Sequence, residues 1–267
     1  MTSIAISPDK PQPLPSLSPP SPWLLMAECR AIPELGAYFA AQPILQRIAP
    51  GDGHPVLVLP GMGGDDGSTW PLRTFLQRLG YATYPWCQGR NIANFAIEDA
   101  LASRLRELRE QHGRSISLVG WSLGGVYARE LAKREPRSVR QVITLGTPFT
   151  GHPFAGNGLL LYRFLTGKKP SLDPRWYSLK HPPPVPTTSI YSRTDGMVNW
   201  RCSLNEPGRH VENIEVRTSH CGMGHHPLAL YVVADRLAQP EGQWRRFRPK
   251  GLLRLLFPKP GKPLGEK

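Results

Sequence analysis

Short runs of aliphatic residues alternate along the chain with stretches in which apolar residues return every three or four positions. That pattern predicts strands interleaved with amphipathic helices. Residues 55–60 (Pro-Val-Leu-Val-Leu-Pro) are apolar throughout, as in a strand that a parallel sheet buries on both faces. Residues 81–86, 115–119, 139–145, 187–191 and 213–216 read as further strands. A helix capped by Ser68 or Thr69 runs to Leu79 and is closed by Gly80. Another covers 94–112, with Phe95, Ile97, Leu101, Leu105 and Leu108 on one face and Gly113 after it. A third follows the strand at 115–119 and reaches about Arg134, and 227–237 forms the last. Residues 22–48 read as helical with a proline interruption at Pro33. Alternation of this kind predicts an α/β fold: a mostly parallel central sheet with helices on both faces. Residues 149–186 break the rhythm and predict a small lid or cap insertion, in which 158–165 is an apolar segment.

The strand at 115–119 ends in Gly-Trp-Ser-Leu-Gly-Gly, centred on Ser122, and a helix follows at once. A strand that breaks into Gly-x-Ser-x-Gly and resumes as a helix exposes the serine hydroxyl at a sharp turn, where only small residues fit two positions to either side. The alternative is a glycine-rich turn with an incidental serine. At neutral pH a serine hydroxyl is a poor nucleophile, so it needs a base, and the base needs an orienting carboxylate. Asp195 lies where the strand at 187–191 runs out, and His220 lies just past the strand at 213–216. Both occupy carboxyl ends of strands, where sites gather in open α/β sheets. His225 and His226 are the competing bases, and Asp173 in the insertion is the rival acid. His54, His112, His152, His181 and His210 read as loop or surface residues. His220, Cys221, His225 and His226 lack the spacing of a standard zinc site, so no metal or other cofactor is expected. A tetrahedral oxyanion also needs two backbone N–H donors. Leu123, immediately after the serine, is one; Met62, in the loop Pro60-Gly-Met-Gly-Gly, is the other. That loop lacks the lysine of a phosphate-binding loop.

Composition adds boundaries and partners. The chain has 267 residues, enough for one large domain, and 40% are hydrophobic. Its 30 prolines crowd into residues 8–22, residues 170–186 and the extreme C-terminus. Residues 1–22 therefore read as a mobile Pro/Ser-rich segment, 23–243 as a single domain, and 244–267 as a tail. Lysine and arginine number 33 against 20 acidic residues, a formal net charge of +13. The tail carries eight basic residues against Glu266 alone, interleaved with Trp244, Phe247, Leu252, Leu253, Leu255, Leu256 and Phe257. Such a segment suits an anionic membrane surface or an acidic carrier protein; alternatively its apolar residues dock on the domain. No nucleic-acid-binding motif accompanies the charge. The four cysteines show no C-x-x-C spacing, the first residues do not read as a signal peptide, and no apolar run is long enough to span a bilayer. The expectation is a cytoplasmic protein, free or peripheral to the membrane.

Taken together, Leu57-Val-Leu-Pro-Gly-Met-Gly-Gly, Val119-Gly-Trp-Ser-Leu-Gly-Gly, Ser192-Arg-Thr-Asp-Gly-Met-Val and Ser219-His-Cys-Gly-Met-Gly resemble the α/β-hydrolase superfamily, especially bacterial esterase/lipase-type members. The resemblance spans residues 55–237. The elbow is also similar to that of carboxylesterases acting on methyl esters of carrier-protein-bound acyl chains. The resemblance implies an α/β-hydrolase fold with Ser122 as nucleophile, Asp195 as acid and His220 as base, in the order those enzymes use. Pro-Gly-Met stands where many members have His-Gly in the oxyanion loop. The implied activity is hydrolysis of acyl esters through an acyl-enzyme. The alternatives are acyl transfer from the same intermediate, and a non-catalytic membrane- or partner-binding protein that keeps the fold.

Overall fold

The computed structural model describes residues 17–48, 50–150, 155–168 and 176–261. Six strands form its sheet: β1 (Pro55–Leu59), β2 (Ala82–Pro85), β3 (Ile116–Trp121), β4 (Val139–Leu145), β5 (Thr187–Tyr191) and β6 (Val211–Glu215). Their order is β2-β1-β3-β4-β5-β6, and every pairing is parallel. Among the described residues eight α-helices accompany the sheet: α1 (Pro22–Met26), α2 (Ala31–Leu45), α3 (Trp70–Arg78), α4 (Glu98–His112), α5 (Leu123–Arg134), α6 (Gly158–Thr166), α7 (Trp176–Leu179) and α8 (Pro227–Leu237).

Side-chain alternation along each strand divides the core in two. Val56 and Val58 of β1, with Ile143 and Leu145 of β4, pack with Tyr38 of α2, Phe75 of α3 and Leu230 and Val233 of α8. Leu57, Leu59 and Val142 point the other way, onto Leu101, Leu105 and Leu108 of α4 and Val126 and Tyr127 of α5. Both faces are thus covered, which is why the central strand β1 reads as an unbroken apolar run rather than an alternating one. The chain goes outward from β1 to β2, then returns to the other side of β1 as β3. Connections leave the sheet in opposite directions from these two neighbours, and a crevice opens at their carboxyl ends.

Three local expectations are corrected. Pro33 does not interrupt a helix; the break falls earlier, in a tight 3₁₀ turn at Ala27–Arg30, and Pro33 sits in the first turn of α2. Backbone N–H groups in a first turn have no intrahelical acceptor, so a proline there sacrifices no bond. His54 lies on the loop before β1, as read, but is fully buried rather than at the surface. The Thr69 position does precede α3, but its hydroxyl bonds back to the Asp66 carbonyl at 3.1 Å instead of capping the helix.

The basic tail docks and projects at once. Phe247 and Phe257 stack edge-on with centroids 5.0 Å apart and both reach Tyr231 of α8. Glu212 of β6 accepts from the Phe247 N–H at 2.7 Å. Between these anchors a 3₁₀ turn, Gly251–Leu256, leaves Leu252 82% and Leu255 74% exposed. Among the described residues no helix is long and apolar enough to cross a membrane.

Candidate active site

Ser122 occupies the step from β3 to α5 with φ 51° and ψ −123°, a backbone conformation that costs energy for any residue with a side chain. The surroundings hold it there. Its N–H bonds to the Leu145 carbonyl of β4 at 2.7 Å. The turn is tight enough that a methyl group on Gly120 would stand 2.5 Å from the Gly124 oxygen, and one on Gly124 would stand 2.6 Å from the Leu59 carbonyl carbon. Glycine at these two positions is a requirement of packing, and it aims the serine Oγ out of the sheet.

The sequence-predicted residues meet at this point. Ser122 Oγ lies 2.9 Å from His220 Nε2, and His220 Nδ1 lies 2.7 Å from Asp195 Oδ2. The other Asp195 oxygen accepts from the N–H groups of Met197 (2.8 Å) and Val198 (2.7 Å). Every lone-pair direction that matters is thereby used, and the carboxylate edge facing the histidine is fixed. Burial opposes the charged form of His220. The Asp195 charge, the hydrogen bond to it and the Glu28 charge outweigh that effect and hold the imidazole above its ordinary value. A base must be neutral to accept a proton. Activity is therefore expected to fall as pH drops through a midpoint above the ordinary 6.5. A kcat/KM profile for ester hydrolysis checks this, and an acid limb centred below 6.5 would contradict it.

The competing residues go elsewhere. His225 Nε2 faces the Ala31 carbonyl at 3.0 Å, and His226 Nδ1 caps α8 by accepting from Leu228 N–H at 3.2 Å. Burial lowers the pKa of both. Among the described residues no group of three or more His, Cys, Asp or Glu is arranged to hold a metal ion. Asp173 lies outside the described residues. All four cysteines are free thiols.

Leu123 is the first residue of α5, so its N–H points out of the helix end beside the serine. Across the crevice, the 61–64 loop is tied down by Asn91. The Asn91 amide donates to the Pro60 carbonyl at 2.8 Å, its backbone N–H to the Gly64 carbonyl at 2.8 Å, and its carbonyl accepts from Gly63 N–H at 2.7 Å. Gly64 N–H is spent on the Gly61 carbonyl at 3.1 Å. Among the described residues no backbone carbonyl takes the Met62 N–H, which lies between these committed groups. From the insertion, α6 lies over this loop, with Leu165 and Leu161 side chains 3.4 and 3.8 Å from where a Gly63 side chain would begin. Asn157 anchors the base of α6 to the acid loop, donating to the Gly196 carbonyl at 2.7 Å.

Sequence reasoning missed four supporting residues. Besides Asn91, Trp121 donates its indole N–H to the His220 carbonyl at 3.1 Å. Glu28 accepts from the N–H groups of Gly196 (2.7 Å), His220 (2.9 Å) and Cys221 (2.8 Å), and Glu34 accepts from Ser219 N–H at 2.9 Å. The one signal available for Glu28 was a lone carboxylate in the apolar run Trp-Leu-Leu-Met-Ala-Glu.

A second Ser-His-Asp arrangement lies at the opposite end of the sheet. His54 Nε2 is 2.9 Å from Ser117 Oγ, and its Nδ1 bonds Asp52. Ser117 is fully buried within β3, and Asp52 is also held by Arg114 (2.6 Å) and Arg140 (3.1 Å). No substrate reaches a hydroxyl inside a sheet, so this set ties β1 to β3 and β4.

Strand order, elbow and crevice define an α/β protein with a serine site at the topological switch of its sheet. The pattern of the alpha/beta hydrolase family matches residues 56–261, and the chain belongs to that family. Among solved structures, the chain is similar to Bacillus licheniformis lipase BlEst2 (17% identity, 71% of this chain and 94% of that one, TM-score 0.54). It is also similar to Aspergillus fumigatus lipase B, at 17% identity over 71% of this chain and a TM-score of 0.52, where it spans 54% of that chain. These likenesses are of fold. No curated protein matches the chain.

Proposed function

We propose that the protein hydrolyses carboxylic acyl esters through an acyl-enzyme on Ser122. The observation that supports this reading is the chain of hydrogen bonds from Ser122 Oγ through His220 to Asp195, at 2.9 and 2.7 Å. His220 Nε2 takes the serine proton as Oγ attacks the ester carbonyl, while Nδ1–H donates to the ionised Asp195 carboxylate. The carbonyl oxygen becomes an oxyanion, for which the Leu123 and Met62 N–H groups are the donors. Return of the proton from His220 to the leaving alcohol oxygen expels it. Water, deprotonated by the same nitrogen, then cleaves the acyl-serine ester and releases the acid. Met62 of the 61–64 loop and Leu161 and Leu165 of α6 put apolar side chains beside this loop, and an acyl chain of modest to long length is the substrate group proposed to meet them. A panel of p-nitrophenyl esters graded in chain length tests the reading, together with a fluorophosphonate probe. Turnover that rises with chain length and labelling at Ser122 are expected; absence of both overturns it.

The tail is the proposed contact with an anionic membrane surface. Arg248, Lys250 and Arg254 surround the outward-facing leucines and are themselves exposed. Vesicles containing phosphatidylserine are expected to sediment the protein at low salt. Binding should weaken several-fold between 50 and 300 mM salt, since screening shortens the reach of surface charge to roughly 10 Å at 0.1 M. Charge reversal at those three positions should abolish it. Equal binding to neutral vesicles would overturn this partner.

A further inference from the structure

Asp195 and His220 stand on different loops, and the sheet does not by itself fix one against the other. Pairing of β5 with β6 ends at Tyr191 and Glu215, with one further bond from Val216 N–H to the Tyr191 carbonyl at 2.9 Å. Both residues lie several positions beyond that last ladder contact. The two loops meet directly farther back, where the Ser192 hydroxyl donates to the Thr218 carbonyl at 2.7 Å and accepts from the Thr218 N–H at 3.3 Å. At Asp195 and His220 themselves, a further bridge comes from the other end of the chain. In the tight turn between α1 and α2, Glu28, a residue 9% exposed, presents its carboxylate to both loops. One oxygen accepts from Gly196 N–H, next to Asp195, at 2.7 Å and from His220 N–H at 2.9 Å. The other oxygen accepts from Cys221 N–H at 2.8 Å. A single side chain therefore holds the backbone immediately after the acid and the backbone of the base itself.

The neighbours of Glu28 grip the same loops farther out. Arg30 donates to the Thr194 carbonyl and hydroxyl and to the Thr218 carbonyl, the last two at 3.0 Å. Glu34 takes the Ser219 N–H at 2.9 Å and the Ser219 hydroxyl. Arg30 and Glu34 also approach each other at 3.5 Å. Among the described residues no ion pair reaches Glu28, so its charge is met by backbone N–H groups and the neighbouring Cys221 thiol. Burying a carboxylate that way is expensive unless each of those N–H bonds is made.

We propose that Glu28 is a positioning residue for the ester-hydrolysing site, clamping the Asp195 loop to the His220 loop and placing a second negative charge beside the imidazole. This rests on the reading of Ser122, His220 and Asp195 as the reacting set. The groups that face His220 are Asp195 from the loop after β5, Ser122 from the elbow, Glu28 from the turn before α2, and Cys221 on its own loop. Glu34 and Arg30 stand one step away, at Ser219 and Thr218. Of these, the Asp195 and Glu28 carboxylates favour the protonated ring. An imidazolium forms in each step of the reaction, so a fixed charge near it lowers the barrier as well as ordering the loops.

Two substitutions separate geometry from charge. Glu28→Gln keeps the shape but loses the charge, and its amide N–H₂ opposes the donors it must hold. The expected result is a lower His220 titration midpoint, read by NMR of the imidazole in both the wild-type and Ser122→Ala backgrounds. The acid limb of kcat/KM should move down in pH with it, and kcat should fall about tenfold or more with KM little changed, the scale of a misplaced catalytic group. Glu28→Asp keeps the charge on a side chain too short for all three amides. It should retain the raised titration midpoint and still lose kcat. A folded Glu28→Gln protein with wild-type midpoint and wild-type kcat overturns the proposal. Should that variant fail to fold by circular dichroism, wild-type kcat in Glu28→Asp overturns it instead. The NMR titration needs no turnover, so a wild-type chain inactive on every ester would sink the esterase reading while the clamp on His220 is still measured.

Discussion

Replacing Ser122 with alanine is expected to reduce ester turnover by about 10⁴-fold or more, to the level of the uncatalysed reaction plus whatever the oxyanion donors alone supply. The variant loses one oxygen atom, 2.9 Å from His220 Nε2. Its strained backbone is maintained from outside, by the bond to the Leu145 carbonyl and by the glycines on either side, so the fold should survive. A thermal midpoint close to wild type with turnover gone is the expected pair of measurements. A variant that keeps more than a few per cent of wild-type kcat would remove Ser122 from the chemistry. The fluorophosphonate probe adds a sharper comparison, because among the described residues two serines are hydrogen-bonded to a histidine that is in turn bonded to an aspartate. Only Ser122 stands on a turn at the carboxyl end of the sheet; Ser117 is sealed inside it. Labelling at Ser122 alone is expected, since reaction demands access and an oxyanion site as well as a base.

The largest expected effect on stability follows from Gly124→Ala. The added methyl carbon would sit 2.6 Å from both the Leu59 carbonyl carbon and the Pro60 oxygen. These are backbone atoms at the end of β1, which is paired on one side with β2 and on the other with β3. Neither can retreat without pulling the central ladder apart or dragging the 61–64 loop out of place. Overpacking of that kind costs about 3 kcal/mol or more. For a domain of this size that lowers the thermal midpoint by roughly 6–12 °C, at about 2–4 °C per kcal/mol. Activity should fall further than stability, because the clash lies between the elbow that carries Ser122 and the 61–64 loop beside it. Gly36→Ala is the control: nothing lies within 4 Å of the added carbon, the position is helical, and the change should be neutral or mildly stabilising. An unchanged midpoint in Gly124→Ala would mean that β1 yields far more easily than its two ladders imply.

Local chemistry made much of this molecule readable from its residues. A continuous aliphatic run reads as a two-sided strand because both faces must be apolar, and β1 falls on such a run; β3, β4 and β5 fall on shorter runs rich in β-branched residues. Glycines flanking a serine read as an elbow because no other residue fits a turn that tight. Asp195 and His220 were legible as strand-end residues, although nothing local established the 2.7 Å between them. Other features depended on partners far away in sequence. Pro33 is tolerated because of where the helix starts, which was set by the turn at Ala27–Arg30 gripping loops on the far side of the chain. His54 resembles any polar loop residue until β3 closes over it and supplies Ser117. Glu28 is 168 positions from Gly196 and 192 from His220, beyond the reach of any periodicity or turn rule. The sequence by itself determined the parallel α/β order, the serine at the elbow, and an aspartate and a histidine at strand ends. Only the tertiary structure decided which carboxylates and amides hold those partners in line, because hydrogen-bond geometry between distant segments exists only after the sheet has brought them together.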